Sequence, residues 1–402
     1  VNEDFQENIC TSIPTRGLSA EKVQRMVDER LAADLTFPSG HILGSMCSQP
    51  HLFSEDIFQQ QLSKNIGDPG LHPALAEMEA ETIRILGDLF RNPQAVGSIV
   101  TGGTEANLLA MWTAKNSTSP VRREVVLPMT AHFSFDKAAS LMDLQLIKIP
   151  VDTKNRVKIE EYRRAIGPHT MALVGIAGTT GLGAVDPLEE ISELALQHEL
   201  YLHVDAAFGG FVLPFLKSAG YPHDQSPFDF RLPGVSSLTV DPHKMGRTPI
   251  PSGCILYRSE KTAGSSTTHV AYLAGGKTRQ RTIVGTRSGA AVAAVWATLQ
   301  HLGLEGFTRT VRECMEQTHF LKNQIESRPG IETVIEPVMN VLGVRPTYCD
   351  PDELAGRLRQ RGYALSQFPG FLRLTLMPHL SREHLERFLE VLQEELSRRN
   401  DG

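Results

Sequence analysis

The chain has 402 residues, 41% of them hydrophobic and 21% charged, with a net charge of −6. That length exceeds one ordinary hydrophobic core and, at about 100–200 residues per domain, sets an expectation of two or three lobes. No apolar run reaches the ~18 residues that span a bilayer, and the acidic balance argues against a nucleic-acid footprint.

Residues 1–16 hold Glu3, Asp4 and Glu7 and lack an apolar stretch, so they do not read as a signal peptide. The five cysteines, Cys10, Cys47, Cys254, Cys314 and Cys349, show no CxxC spacing. That argues against a disulfide framework or a structural metal site and fits a reducing, cytoplasmic setting. Residues 18–33 repeat apolar side chains at helical spacing behind Ser19, a suitable N-cap. Residues 34–70, rich in Pro, Gly, Ser and His, read as an irregular arm that could wrap a neighbour, and 75–89 returns to a helical pattern. In the middle of the chain short apolar runs at 125–127, 172–177, 201–204, 237–240 and 254–257 read as buried strands. Amphipathic stretches at 105–114, 135–142, 159–166 and 188–197 read as helices. Such alternation predicts an α/β fold with a mostly parallel central sheet covered on both faces. Helical patterns at 288–302, 308–325 and 382–398, with strands at 341–344 and 372–376, predict a smaller C-terminal α/β lobe. The expected organisation is an N-terminal arm and helix over 1–60, a large domain over 61–287 and a small domain over 288–402.

Ligands of parallel sheets bind outside the carboxyl ends of the strands, and the unusual residues of this chain fall there. Ser237-Leu-Thr-Val-Asp-Pro-His-Lys244 ends a buried strand with His243 and Lys244 at its mouth. Desolvation beside an apolar strand end would lower the ammonium character of Lys244, as a Schiff-base lysine requires. A solvated loop lysine is an equal reading of that stretch alone. Leu202-His-Val-Asp-Ala-Ala-Phe-Gly-Gly210 delivers Asp205 at a strand end, followed by small residues that admit a flat ligand. A carboxylate there suits the pyridinium nitrogen of pyridoxal 5′-phosphate (PLP), with Ala207 on one ring face; a lone aspartate capping the next turn is the other reading. His203 reads as structural, turned away from the Asp205 face.

Ile99-Val-Thr-Gly-Gly-Thr-Glu-Ala-Asn107 reads as a strand, a glycine turn and a helix start, where exposed amides and the Thr104 hydroxyl would take a phosphate, although a Gly-Gly-Thr turn alone is more often just a turn. His132, in Thr130-Ala-His-Phe-Ser-Phe-Asp-Lys137, could stack on the ring opposite Ala207; alone it reads better as a capping or core histidine. Thr180, in Gly178-Thr-Thr-Gly181, could bond near the ring hydroxyl.

In this order along one chain, these motifs resemble the group II, fold-type I PLP decarboxylases, and within them the archaeal L-tyrosine/L-aspartate decarboxylase branch. Gly44-Ser-Met-Cys47, Gly67-Asp-Pro-Gly70, Ile250-Pro-Ser-Gly253 and Gly285-Thr-Arg287 are similar to that branch too. The likeness runs from about residue 18 to about residue 396. It implies PLP as cofactor, Lys244 as the aldimine lysine, Asp205 at the ring nitrogen and His132 stacked on the ring. Gly103, Thr104 and His243 would serve the phosphate. Tyr272, 28 residues beyond Lys244, stands where family members carry a mobile-loop tyrosine that reaches the partner subunit's site and protonates Cα. The loop after it, Leu273-Ala-Gly-Gly-Lys277, is longer and richer in glycine than the family pattern. Arg373 resembles a substrate-carboxylate arginine, although a strand arginine in an ion pair reads equally well. Thr286 is a candidate phosphate contact from a neighbour in a homodimer.

The implied reaction, through an external aldimine and a quinonoid, is L-tyrosine to tyramine (a methanofuran precursor) or L-aspartate to β-alanine (for coenzyme A). A sphingosine-1-phosphate lyase-like aldolase shares several motifs but would be expected to carry a membrane anchor. His132 and Tyr272 suit decarboxylation better than transamination, and a non-catalytic PLP-binding protein would not need Lys244, Asp205, His132 and Tyr272 together.

Overall fold

The computed structural model describes residues 12–221 and 226–398. The reading of the first eleven residues, Cys10 included, lies outside them. The chain divides into two compact units, Val1–Thr36 and Phe37–Gly402. In the first, α1 (Ala20–Leu31) starts where the sequence places it, with Ser19 accepting from the Lys22 amide, and none of its residues is buried.

The second unit opens with α2 (Leu52–Gln60) and α3 (Pro73–Leu89). Strand β1 (Val96–Val100), helix α4 (Gly103–Ser117), β2 (Glu124–Pro128), α5 (Ser134–Met142), β3 (Gln145–Ile149), α6 (Ile159–Ala165), β4 (Thr170–Ile176), α7 (Leu188–Gln197), β5 (Tyr201–Asp205), β6 (Val235–Val240) and β7 (Gly253–Tyr257) follow. The seven strands form one sheet in the order β1-β7-β6-β5-β4-β2-β3, in which only the β7 pairings are antiparallel.

The two-residue period of a strand divides the side chains between two cores. Val125, Leu127, Ala172, Val174, Tyr201 and Ile255 pack with α4 and α5. Val126, Leu173, Leu202, Val204, Leu238 and Leu256 face the opposite core with α3 and α7. Both faces are thus apolar, as a covered parallel sheet demands. Where the β2–β4 ladder ends, the buried Tyr162 hydroxyl is 2.8 Å from both the Val126 and Val174 carbonyls and accepts from the Val174 amide at 3.0 Å.

Helix α8 (Glu260–Gly264) and a small hairpin of β8 (Thr268–Val270) and β9 (Thr278–Gln280) lead to α9 (Gly289–Glu326). The two helices expected at 288–302 and 308–325 form this one element, broken at Gly303, whose φ of 55° and ψ of −173° are not helical. The remaining β10 (Ile331–Thr333), β11 (Val341–Pro346), α10 (Pro351–Gln360), β12 (Ser366–Phe368), β13 (Phe371–Thr375) and α11 (Arg382–Ser397) build a four-stranded antiparallel sheet, order β10-β11-β13-β12, with its own apolar core. Helix α2 falls inside the stretch expected to be irregular, and it packs on α9. No helix among the described residues is long and apolar enough to cross a membrane.

Candidate active site

Five strands of the large sheet deliver their carboxyl ends to one cavity of about 310 Å³. Thr101 to Glu105 and Asn107 follow β1, His132 follows β2, Ile176 ends β4, Asp205 ends β5, and Asp241, His243 and Lys244 follow β6; all line it with Met46, Phe133, Gly178, Thr180, Ala207 and Phe208. The expected site residues Lys244, Asp205, Ala207, His132, Gly103, Thr104, Thr180 and His243 therefore share one wall-to-wall space.

Lys244 Nζ lies 3.0 Å from Asp241 Oδ2, and His243 Nε2 lies 3.7 Å from the same oxygen. Burial alone would favour the neutral amine, but the carboxylates of Asp241 and Asp205 outweigh it and hold the Lys244 ammonium above its ordinary value. The expectation that desolvation discharges this lysine is thus corrected: a buried counter-ion three residues earlier reverses the sign. Burial pushes the imidazoles of His132 and His243 down from the usual histidine range. The His132 ring tilts against Phe133, with centroids 4.1 Å apart.

Asp205 is 5% exposed, and both of its oxygens are occupied. The Ala207 amide donates to Oδ1 at 3.0 Å and the Asn107 amide to Oδ2 at 2.8 Å. His203 does not turn away from that face. Its Nε2 lies 3.0 Å from Asn107 Oδ1, because residues two apart on a strand point the same way.

Three expected residues do not line this chain's cavity. Tyr272 lies between β8 and β9 and is 88% exposed. Thr286 is exposed in the segment before α9. Arg373, on β13, is buried; its guanidinium donates to the Thr180 carbonyl and Ser366 Oγ, each at 2.7 Å, and to the Gly44 carbonyl. It thereby ties the small sheet to Thr180 at the cavity wall, and burial lowers its ionisation to about 10.

The pyridoxal-dependent decarboxylase conserved domain matches residues 38–345. This chain belongs to that family. It is a fold-type I, PLP-dependent amino-acid decarboxylase. It is 45% identical over 381 residues, 95% of this chain and 98% of the other, to L-aspartate decarboxylase of Thermococcus kodakarensis. It is 44% identical over 361 residues to a probable L-tyrosine/L-aspartate decarboxylase of Methanothermobacter thermautotrophicus, covering 89% of this chain and 98% of that one. Among solved structures, a sphingosine-1-phosphate lyase of Burkholderia pseudomallei superposes with a TM-score of 0.89 at 26% identity, covering 98% and 94% of the two chains.

The residues present fit the family's cofactor. A Cβ on Gly103 would come within 2.7 Å of Asp241 Oδ2 and 3.2 Å of Ala207 Cβ, so only glycine lets the start of α4 approach the β6 end this closely. The first turn of α4 precedes its first recurring bond, from the Ala106 amide to the Gly102 carbonyl, so the Gly103, Thr104 and Glu105 amides have no partner inside the helix. Such amides suit a phosphate. Asp241 Oδ1, buried, has no hydrogen-bond partner, and Lys244 supplies a primary amine.

Sequence reasoning missed Asn107 and Asp241. Both stand inside the motifs it singled out; the partners of Asn107 lie on other elements, which no local periodicity reports, whereas Asp241 meets Lys244 only three residues on, a local pairing that was overlooked.

Proposed function

We propose that this decarboxylase removes the α-carboxylate of L-aspartate, L-tyrosine or both, giving β-alanine or tyramine. The carrying observation is the Lys244 amine, 3.0 Å from Asp241 and sharing one cavity with His132 and Asp205. Relatives named for L-aspartate and L-tyrosine/L-aspartate support the substrate pair. The bound cofactor supplies an electron sink for the pair of electrons left when CO₂ departs. Lys244 would hold it, Asp205 would keep its ring nitrogen protonated, and Ala207 and His132 would pack against it. Gly103, Thr104 and His243 would hold its phosphate, and Thr180 would take the ring hydroxyl.

His132 orients the leaving carboxylate, and the neutral imidazole favoured by burial suits that stacking role. Arg373 acts on the substrate site by bracing its Thr180 wall, through the bond from its guanidinium to the Thr180 carbonyl. The exposure of Tyr272 and Thr286 supports a homodimer in which each reaches the other subunit's site, Tyr272 returning a proton to Cα. We place the enzyme in the cytoplasm. There its β-alanine would feed coenzyme A synthesis and its tyramine methanofuran synthesis.

The lyase-like aldolase is the second reading, favoured by the 0.89 TM-score to the Burkholderia enzyme. The test supplies PLP and, separately, L-aspartate, L-tyrosine, L-glutamate and a phosphorylated sphingoid base, and measures CO₂, amine and aldehyde. CO₂ with β-alanine or tyramine from the parent, and none from Lys244→Ala, is expected. Aldehyde from the sphingoid base without CO₂ from any amino acid would replace this proposal with the aldolase.

A further inference from the structure

A buried carboxylate that takes part in chemistry needs donors that fix its plane, and Asp205 draws one of its two from a side chain. Asn107, 1% exposed on α4, is that side chain. All four of its hydrogen-bonding capacities are used. Its amide nitrogen donates to Asp205 Oδ2 at 2.8 Å and to Ser134 Oγ at 3.0 Å. Its carbonyl oxygen accepts from Thr239 Oγ1 at 2.9 Å and faces His203 Nε2 at 3.0 Å.

The direction of every bond follows from one fact. An ionised carboxylate only accepts, so Asn107 must present its NH₂ to Asp205 and its oxygen to Thr239 and His203. His203 must then carry its proton on Nε2, leaving Nδ1 to accept from Ser237 Oγ at 2.8 Å, which accepts in turn from the Tyr201 hydroxyl at 2.7 Å. Burial pushes the His203 imidazole down to about 4, so it stays neutral and single-tautomer at neutral pH. The reverse amide orientation would set an oxygen against the carboxylate and an NH₂ against the donor hydroxyl of Thr239.

We propose that Asn107 is the positioning residue for Asp205, and that Thr239, His203 and Ser237 lock its amide so that the carboxylate keeps one orientation toward the cavity. This rests on the reading of Asp205 as the partner of the cofactor's ring nitrogen. A core asparagine that merely satisfies its neighbours would affect stability alone; a positioning residue alters the bound cofactor itself.

The holoenzyme forms of Asn107→Leu, Thr239→Val, Thr239→Ser and Asp205→Asn are compared with the parent for PLP dissociation constant, visible absorption of bound PLP, and Tm. Asn107→Leu weakens PLP binding by about tenfold or more, the order found for the hydrogen-bond partners that orient metal ligands. It also redistributes the absorption between the cofactor's bands. Thr239→Val produces the same spectral change in smaller degree, and Thr239→Ser, which keeps the hydroxyl, restores the parent spectrum. A folded Asn107→Leu with parental affinity and spectrum, beside an altered Asp205→Asn, would overturn the role of Asn107 and leave that of Asp205 intact. Parental behaviour in Asp205→Asn would remove both. If Asn107→Leu does not fold, the Thr239 pair decides: identical spectra in Thr239→Val and Thr239→Ser sink the proposal.

Discussion

The strand-end rim and the 268–287 segment hold the residues proposed for function by different means. At the rim, Asp205, Asn107 and Asp241 are at most 5% exposed; Asp205 and Asn107 bond across elements far apart in sequence, and Asp241 meets Lys244 within its own strand-end turn. The 268–287 segment hangs from a handful of bonds to a loop and to the helices α3 and α4. The Gly275 amide donates to Asp68 Oδ2 at 3.2 Å, and Gln280 Nε2 to the Gly67 carbonyl at 3.1 Å. The Ile283 amide donates to Glu105 Oε1 at 3.1 Å, and Arg287 pairs with Glu79 at 2.5 Å. Gly67 and Gly70 let the two loops touch, since a Cβ on either would come within about 2 Å of a carbonyl oxygen, 2.0 Å at Gly285 and 1.9 Å at Gly275. Buried, multiply bonded groups are preorganised at the cost of being coupled to stability, whereas a loop-borne group can be replaced with little effect on folding.

The largest expected break in that contrast is Tyr272→Phe. With the hydroxyl gone, turnover falls by about 10²–10⁴-fold, the worth of a positioned proton donor. Stability moves by no more than about 0.5 kcal/mol, as for exposed positions generally. Mixing this variant with Lys244→Ala and allowing subunit exchange tests its direction of reach. If Tyr272 serves the opposite subunit, each mixed dimer contains one intact site and activity returns. Mixed dimers that form yet stay inactive would place the tyrosine in its own chain's site.

Glu105 joins the two regions, and Glu105→Gln sharpens the contrast at a smaller magnitude. One carboxylate oxygen accepts from the Thr101 amide and hydroxyl, each at 2.8 Å, and the other from the Ile283 and Val284 amides at 3.1 and 3.4 Å. Glutamine would turn an NH₂ toward one of these donor pairs, at a cost of about 1–3 kcal/mol. Hydrogen exchange at Ile283 and Val284 should accelerate while the amides of β5 and β6 keep their protection. Equal acceleration in both would mean that the segment is not separately held.

What the sequence disclosed follows the same division. The central sheet was legible because strands covered on both faces read as apolar runs, and its motifs were legible because each begins where such a run ends. Strand β3 was not, since Gln145 and Lys148 interrupt it at the sheet edge. Nor was α10, although Asp350 before Pro351 is a clear helix start, and its side chain accepts from the Asp352 amide. Within the site, Lys244, Asp205 and His132 were found as types of residue at strand mouths. The charge state of Lys244 depends on Asp241, a neighbour in the same turn, and the orientation of Asp205 depends on Asn107, whose effect is tertiary. His203 failed for a simpler reason: two residues from Asp205 on one strand, it must share its face.

The smallest net effect in the parent lies wholly on the buried side, where two groups oppose each other with pH. Burial pushes the Asp186 carboxyl up to about 7, although the Val157 and Ile176 amides donate to it at 2.8 and 2.9 Å. The native state therefore holds a proton that the unfolded chain, with an ordinary aspartate, gives up above about pH 4. The contribution of Asp186 to stability is greatest below that point and is lost as pH rises toward 7. His203 runs the other way. Its native imidazole stays neutral down to about 4 while the unfolded one protonates below about 6.5, so its contribution is complete above that pH and lost on acidification. Between about pH 4 and 6.5 the slopes have opposite signs, each on the order of 1 kcal/mol per pH unit, and largely cancel in the parent. Subtracting the parent's denaturation profile from each variant's exposes them. His203→Gln removes the rising slope, so its stability relative to the parent improves on acidification. Asp186→Asn removes the falling one, so its relative stability improves as pH rises toward 7. Flat difference profiles for both would show that these two groups titrate alike in the native and unfolded chains, and that burial in this sheet does not govern their charge.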